Sequence, residues 1–213
     1  MSNYPINLVN LESGAVVICG GAVAARKVQG LLAAGARVTI VAPQLTHELQ
    51  DLAREQRIAV IQRAYQEGDL ASARVVIAAT DDSTINQAVY EEAQTRGIIV
   101  NVVDDPAHCN FHVPAIVRRG QVTIAISTGG ASPALAKHLR AEIERTIGAE
   151  YETLARLLAE LRADVKVRVP RARHAALWRG LIDAALPLLR AGDENAARAI
   201  MQAILQKAES GKQ

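Results

Sequence analysis

Ala15-Val16-Val17-Ile18-Cys19-Gly20-Gly21-Ala22-Val23-Ala24-Ala25-Arg26-Lys27 decides the fold. Its first five residues are an apolar, β-branched run that reads as a strand. A tight loop of small residues follows. From Val23 to Ala34 the pattern is helical, and Gly35 stands where a helix-terminating glycine belongs. Strand, glycine turn and helix in that order open a βαβ unit, and the chain repeats the alternation. Arg37–Val41 reads as a second strand, stopped by Pro43, and Thr46–Glu55 as a helix with Thr46 at its cap. Ile58–Gln62 and Val75–Ala79 are further strands, Ser83–Arg96 a helix ending at Gly97, and Ile98–Val102 a fifth strand. Strands that are apolar on both faces belong to a parallel sheet covered on both sides, so the spacing predicts an α/β, Rossmann-like, doubly wound sheet over residues 1–112.

A dinucleotide fingerprint, G-x-G-x-x-G/A, needs glycines for the tight turn and for close approach of a pyrophosphate to a helix N-terminus. Aligned on it, Cys19 holds the first glycine position, Gly21 the second and Ala24 the third. A small side chain fits the first position provided its φ stays negative. The acid that commonly ends the second strand is replaced by Val41-Ala42-Pro43-Gln44. Two readings of the loop stay open: a dinucleotide cradle formed by Gly20, Gly21, Ala22, Val23 and Ala24 with Pro43 and Gln44 beside it, or a strand–helix turn without a ligand. Thr80-Asp81-Asp82 and Asp104 follow the fourth and fifth strands, at the edge where open α/β sheets bind ligands. Thr80 and Asp81 are candidates to touch a nicotinamide ribose, while Asp82 or Ser83 caps the next helix. Asp104 is either a catalytic carboxylate or the cap of a turn with Asp105-Pro106.

After Asp104 the pattern changes. Val113–Val117 and Val122–Ser127 read as two strands joined through Gly120. In Ser127–Pro133, Ser132 is placed as an N-cap and Pro133 as the first helical residue. Helical sequence then runs to Lys207, broken near Gly148, Pro170 and Gly192, with Asp193 capping the last helix. The boundaries expected are a small mixed connecting unit at 113–147 and a C-terminal helical domain at 148–213.

Composition narrows the function. Half of the 213 residues are hydrophobic, but only 3% are aromatic, so the core is aliphatic and stacking platforms for single-stranded nucleic acid are scarce. No apolar run reaches the ~18 residues of a membrane span, no secretory signal is read at Met1–Leu11, and a cytoplasmic location is expected. Between Arg162 and Arg179 stand six basic residues (Arg162, Lys166, Arg168, Arg171, Arg173, Arg179) against one acid, Asp164. That run is either a solvated face or a polyanion site. His108-Cys109-x-x-His112 lacks the ligand count and spacing of a structural zinc site, so no metal site is assigned.

GGAVAARK, GARVTIVAP, AATDD with Asn86, NVVDDP at Asn101–Pro106 and STGGASP at Ser127–Pro133 occur in that order. Over roughly residues 4–180 the chain resembles the precorrin-2 dehydrogenase/sirohydrochlorin ferrochelatase family, the N-terminal module of sirohaem synthases. No methyltransferase half is expected within these 213 residues. The resemblance implies NAD as electron acceptor, precorrin-2 as a polycarboxylate substrate oxidised to sirohydrochlorin, and a homodimer built through the middle unit. Many members also insert ferrous iron into sirohydrochlorin; others do not. The family's catalytic aspartate matches Asp104. Ser127 and Thr128, at a helix N-terminus, and Arg171 and Arg173, in the basic run, are the candidates for the substrate's carboxylates. A Rossmann dehydrogenase for another small acid, and a non-enzymatic NAD-binding regulatory domain, are the competing functions; nucleic acid and membrane are not expected partners.

Overall fold

The computed structural model describes residues 3–209. The chain divides into two compact units, Tyr4–Val113 and the chain from Pro114 onward.

In the first unit, five parallel strands carry the order β3-β2-β1-β4-β5: β1 (Ala15–Ile18), β2 (Val38–Val41), β3 (Ala59–Ile61), β4 (Val75–Ala78) and β5 (Ile99–Val102). Between them run α1 (Ala22–Leu32), α2 (His47–Arg54) and α3 (Ser83–Arg96). The strand order reverses between β1 and β4, which opens a crevice at the strands' carboxyl ends. Every residue of β1 and β4 is buried. Successive residues alternate faces: Ala15 and Val17 pack with Ala25, Val28, Ile40 and Leu49, whereas Val16 and Ile18 pack with Leu70, Val76, Val89 and Val100. That two-sided burial is why the strands read as continuous apolar runs.

The helix limits have local causes. α3 begins where Asp82 accepts hydrogen bonds from the amides of Thr84 (2.8 Å) and Ile85 (3.3 Å), and it ends at Gly97 with φ +66°. Asp82, rather than Ser83, is therefore its cap. Thr46 holds the N-cap position of α2, but its side chain makes no capping bond.

The second unit opens with an antiparallel hairpin, β6 (Ala115–Arg119) and β7 (Val122–Ile126), closed by Gly120-Gln121. β6 begins and ends two residues later than the sequence reading of Val113–Val117, and β7 ends at Ile126 rather than Ser127. Pro114 has no amide to donate and starts no ladder, while Arg118 and Arg119 continue it to the turn, opposite Thr123 and Val122. α4 (Pro133–Thr146) starts at Ser132, whose hydroxyl accepts from Leu135 N–H at 3.2 Å. At its other end, the Arg119 guanidinium donates to the carbonyls of Glu144 (3.0 Å) and Ile147 (2.8 Å), a cation on the negative end of the helix. α5 (Glu150–Arg168), α6 (His174–Arg190) and α7 (Glu194–Glu209) pack around Leu157, Val165, Leu181, Ala185, Ala197 and Met201. Asp193 caps α7 through Ala196 N–H at 2.8 Å. No helix among the described residues is long and apolar enough to cross a membrane.

Candidate functional site: the dinucleotide cleft and the carboxyl edge of the sheet

A cleft of about 520 Å³ opens at the crevice between β1 and β4. Cys19, Gly20 and Gly21 form one wall, Pro43, Gln44 and Thr46 another, and Thr80, Asp81 and Asp82 a third. Gly20 is required by close approach. A Cβ there would stand 1.9 Å from the Gln44 carbonyl oxygen, because Gly20 O also receives Thr46 N–H at 2.9 Å and draws the two loops together. The first intrahelical bond of α1 runs from Ala25 N–H to Gly21 O, so the amides of Ala22, Val23 and Ala24 precede the ladder at the positive end of the helix. No side chain caps that end, and its first turn holds no acid. The Thr46 hydroxyl is buried without a hydrogen-bond partner among the described residues. Uncapped amides, a side-chain-free approach and an orphan hydroxyl fit a pyrophosphate with its adjoining ribose.

Cys19 departs from the sequence expectation. Its φ is +149°, not negative, so the first loop position keeps the backbone that glycine adopts there at no steric cost. The side chain folds back: Sγ accepts the Gly21 N–H at 3.3 Å. That internal bond is the local compensation for a strained backbone.

Thr80 shapes the third wall. Its hydroxyl accepts Asp82 N–H at 3.2 Å and lies 2.9 Å from Asn86 Oδ1, while Asn86 Nδ2 donates to Thr80 O at 2.9 Å. The AATDD motif and Asn86 thus form one closed turn, with Asp81 left exposed at the cleft.

At the end of β5, the two adjacent aspartates separate in role. Asp105 carries the turn: its carboxylate pairs with His108 Nδ1 at 2.6 Å, and that hydrogen bond, with the backbone amides of His108 and Ala107, holds its pKa below the usual range. Asp104 is exposed, lies in the left-handed region at φ +62°, and its carboxylate accepts no hydrogen bond among the described residues. Aspartate tolerates that conformation better than most side chains. The capping duty therefore falls on Asp105, and Asp104 is left available at the carboxyl edge.

His108 and Cys109 have structural partners. His108 meets Tyr90 edge-on at 4.8 Å. Cys109 Sγ donates to Val102 O at 3.1 Å, and burial raises its pKa. Asn110 pairs with Val100 through both backbone and side chain, and Asn101 Nδ2 donates to Phe111 O at 3.0 Å. This segment covers the free edge of β5.

Lys27 is not singled out by the sequence, and Thr46 reads only as a helix cap. Lys27 lies on α1, half-buried; burial and then Arg26 lower its pKa, against the opposing pull of Asp104 and Cys109. A lysine set between Ala24 and Val28, both buried, was the available signal.

In the second unit, Ser127 Oγ accepts Gly129 N–H at 3.2 Å, and Thr128 Oγ1 accepts Ser132 N–H at 3.3 Å, so both hydroxyls build the turn before α4. Arg171 and Arg173 lie exposed on a short 3-10 turn between α5 and α6. Arg168 of the same basic run is held by Asp164 at 3.2 Å and Glu209 at 3.3 Å.

The first unit is thus a Rossmann-type nucleotide fold with a cleft fitted to a dinucleotide. Residues 8–115 match the family described as "Putative NAD(P)-binding", and the chain belongs to that family. Residues 119–146 match the family described as sirohaem biosynthesis protein, central. The chain is 42% identical, over 97% of its own length, to siroheme synthase of Nitrosospira multiformis, of which it covers 45%. It is 38% identical to siroheme synthase of Psychrobacter cryohalolentis, over 96% of this chain and 40% of that protein. The chain therefore spans less than half the length of these relatives. Among solved structures, SirC, a precorrin-2 dehydrogenase, superposes with a TM-score of 0.75 at 26% identity, covering 97% of this chain and all of that one.

Proposed function

We propose that this chain oxidises precorrin-2 to sirohydrochlorin with NAD as acceptor, in the cytoplasm. The observation that carries the reading is the pairing, within one unit, of a dinucleotide cleft and an unpartnered carboxylate, Asp104, at the same carboxyl edge of the sheet. The match to siroheme synthases and to SirC supplies the substrate class.

Gly20, Gly21 and the amides of Ala22, Val23 and Ala24 would hold the pyrophosphate; Pro43, Gln44 and Thr46 would face the adenosine side, and Thr80 and Asp81 the nicotinamide ribose. Bound there, the nicotinamide supplies the hydride acceptor. Loss of two hydrogens from the tetrapyrrole releases one hydride and one proton. Asp104 takes the proton, and its freedom from internal hydrogen bonds keeps both oxygens open to the substrate. Lys27 nearby balances the carboxylate's charge. Iron insertion, where it occurs, uses the same carboxylate for the pyrrole N–H protons, with ferrous iron as substrate.

Ser127, Thr128, Arg171 and Arg173 are assigned to the substrate's carboxylates. Residues 113–147 are assigned to a homodimer contact. α4 buries none of its fourteen residues, and Leu135 on it is 47% exposed, which suits a face covered by a second copy.

The test is Asp104→Ala, assayed with NAD and precorrin-2 by the absorbance of sirohydrochlorin. Loss of a general base lowers turnover by roughly 10²-fold or more, with NAD affinity and thermal stability unchanged. Wild-type turnover in the purified variant would remove Asp104 from the mechanism. Wild-type protein inactive on precorrin-2 would remove the reaction itself.

A further inference from the structure

A cleft of about 600 Å³ lies in the helical unit. It is a groove between one face of α5 and one face of α6, with Gln121 of the hairpin turn in its lining. Leu158, Val165 and Ile182 give it an apolar floor, with Trp178 half-buried beside them. Arg162 and Lys166, one helical turn apart on α5, are its cations, and no acid lines it.

The charge pattern around the groove is selective. Arg156, Arg168, Arg190 and Arg198 of the same unit each meet a carboxylate within 3.5 Å. Glu160 and Asp164, the acids nearest along α5, are taken by Arg156 with Arg198 and by Arg168. Arg162 and Lys166 meet no carboxylate among the described residues; the acids two residues from them, Glu160 and Asp164, are engaged elsewhere. His174 is fixed by a hydrogen bond of 2.8 Å to the Val169 carbonyl. A carbonyl only accepts, so Nε2 carries the proton and Nδ1 is the free ring nitrogen.

We infer that this groove is a second binding site, for a planar polycarboxylate of the tetrapyrrole class: the ring system lies on Trp178 and the aliphatic floor, and its acid side chains reach Arg162 and Lys166. The volume is within the range of small-molecule sites, about 300–1,000 Å³. An apolar floor with cations at one side and no anions discriminates for an amphipathic anion over a neutral ligand or a cationic peptide. The identity of the ligand class rests on the function proposed above; the groove's preference for a flat anion rests on its own residues.

The probe is uroporphyrin, an octacarboxylate tetrapyrrole, titrated into the full chain with NAD present in saturating amount. Trp178 is the only tryptophan of the chain, so its access to acrylamide reports on this groove alone. Binding is expected to shield Trp178. Arg162→Glu/Lys166→Glu is expected to raise the dissociation constant at least about tenfold, the loss of one charge-assisted contact, and Arg162→Gln/Lys166→Gln to do so in part, with helix content unchanged by circular dichroism. Asp104→Ala is expected to bind as wild type. Equal affinity in both double variants, or binding that leaves acrylamide access unchanged, overturns the assignment. So does shielding of Trp178 that rises with protein concentration in the absence of porphyrin, which would make a second copy the occupant. Precorrin-2 turnover, measured on the same wild-type sample, separates the two proposals: porphyrin binding in the groove without turnover sinks the reaction and keeps the site, and turnover without it does the reverse.

Discussion

β1 and β4 bury every residue they contain; α4 buries none. The two units of this chain solve the same problem of covering apolar surface in different ways. The sheet unit closes on itself: helices lie on both faces, and the segment Cys109–Phe111 covers the edge of β5. Its fully buried valines and isoleucines contribute about 1.5–3 kcal/mol each by removal from water. The second unit packs α5, α6 and α7 well, but leaves the hairpin and α4 open and surrounds its core with exposed ion pairs. Pairs of that kind contribute about 0–1 kcal/mol. Single buried changes in the first unit should therefore matter far more than loss of the second unit's surface ion pairs.

The largest expected effect is at Gly20. Gly20→Ala puts a methyl group on the Gln44 carbonyl, backbone against backbone, with no flexible side chain to move. Overpacking commonly costs about 1–3 kcal/mol, and here the β1–α1 loop must also part from β2–α2. NAD affinity should fall about 10–100-fold by calorimetry, with a lower denaturation midpoint. An alanine variant that binds NAD normally would mean that the two loops do not need this approach.

Next is the buried acid of the sheet unit. Glu92 has a side chain only 4% exposed and accepts hydrogen bonds from Tyr65 Oη, Gly68 N–H and the Arg96 guanidinium. Burial alone pushes its carboxyl up, but the three donors and the Arg96 charge outweigh it, and the net shift is downward. Burial, and then the same contact with Glu92, push the Tyr65 hydroxyl well above its ordinary value. A carboxyl with a depressed folded pKa stabilises the fold fully above its unfolded value, about 4.3, and the contribution is lost as pH falls through the folded value. Glu92→Gln should therefore cost about 1–3 kcal/mol at pH 7, and the gap from wild type should narrow as pH drops below about 4. Urea denaturation at several pH values measures it; a gap that stays constant down to pH 3 would assign the loss to packing instead.

These two sites show what the sequence made legible. The five strands and α3 followed from apolar runs and from punctuation at Asp82 and Gly97, because those signals act within a few residues. Ser132-Pro133 marked α4 for the same reason. Non-local causes were not legible. That Arg168 is neutralised by Glu209, 41 residues away, while Arg162 is not, depends on how α5 and α7 meet. The unpartnered Thr46 hydroxyl depends on Gly20 drawing its loop close. Asp104 is a candidate by its motif and position, but only the structure gives the turn to Asp105 and leaves its neighbour without a hydrogen bond among the described residues.

The smallest effect sharpens the comparison because it sets one glycine position in each unit side by side. Cys19 holds φ +149°, a backbone suited to glycine, and Gly180 lies inside α6 with nothing within 4 Å of where a Cβ would stand. Gly180→Ala should stabilise the chain by about 0.5–1 kcal/mol through helix propensity, a rise of about 1–4 °C in Tm, with no effect on NAD. Cys19→Gly relieves backbone strain, gives back part of that gain as unfolded-chain entropy, and removes the Sγ acceptor from Gly21 N–H. Its net effect on Tm should therefore be smaller than that of Gly180→Ala. Its effect on binding should run in one direction only: the Gly21 amide is released at the mouth of α1, where a pyrophosphate can accept it, and NAD should bind as tightly as in wild type or tighter. Weaker NAD binding in Cys19→Gly, measured beside an unchanged Gly180→Ala, would mean that the thiol itself contacts the dinucleotide and that its bond to Gly21 orders the loop for the ligand.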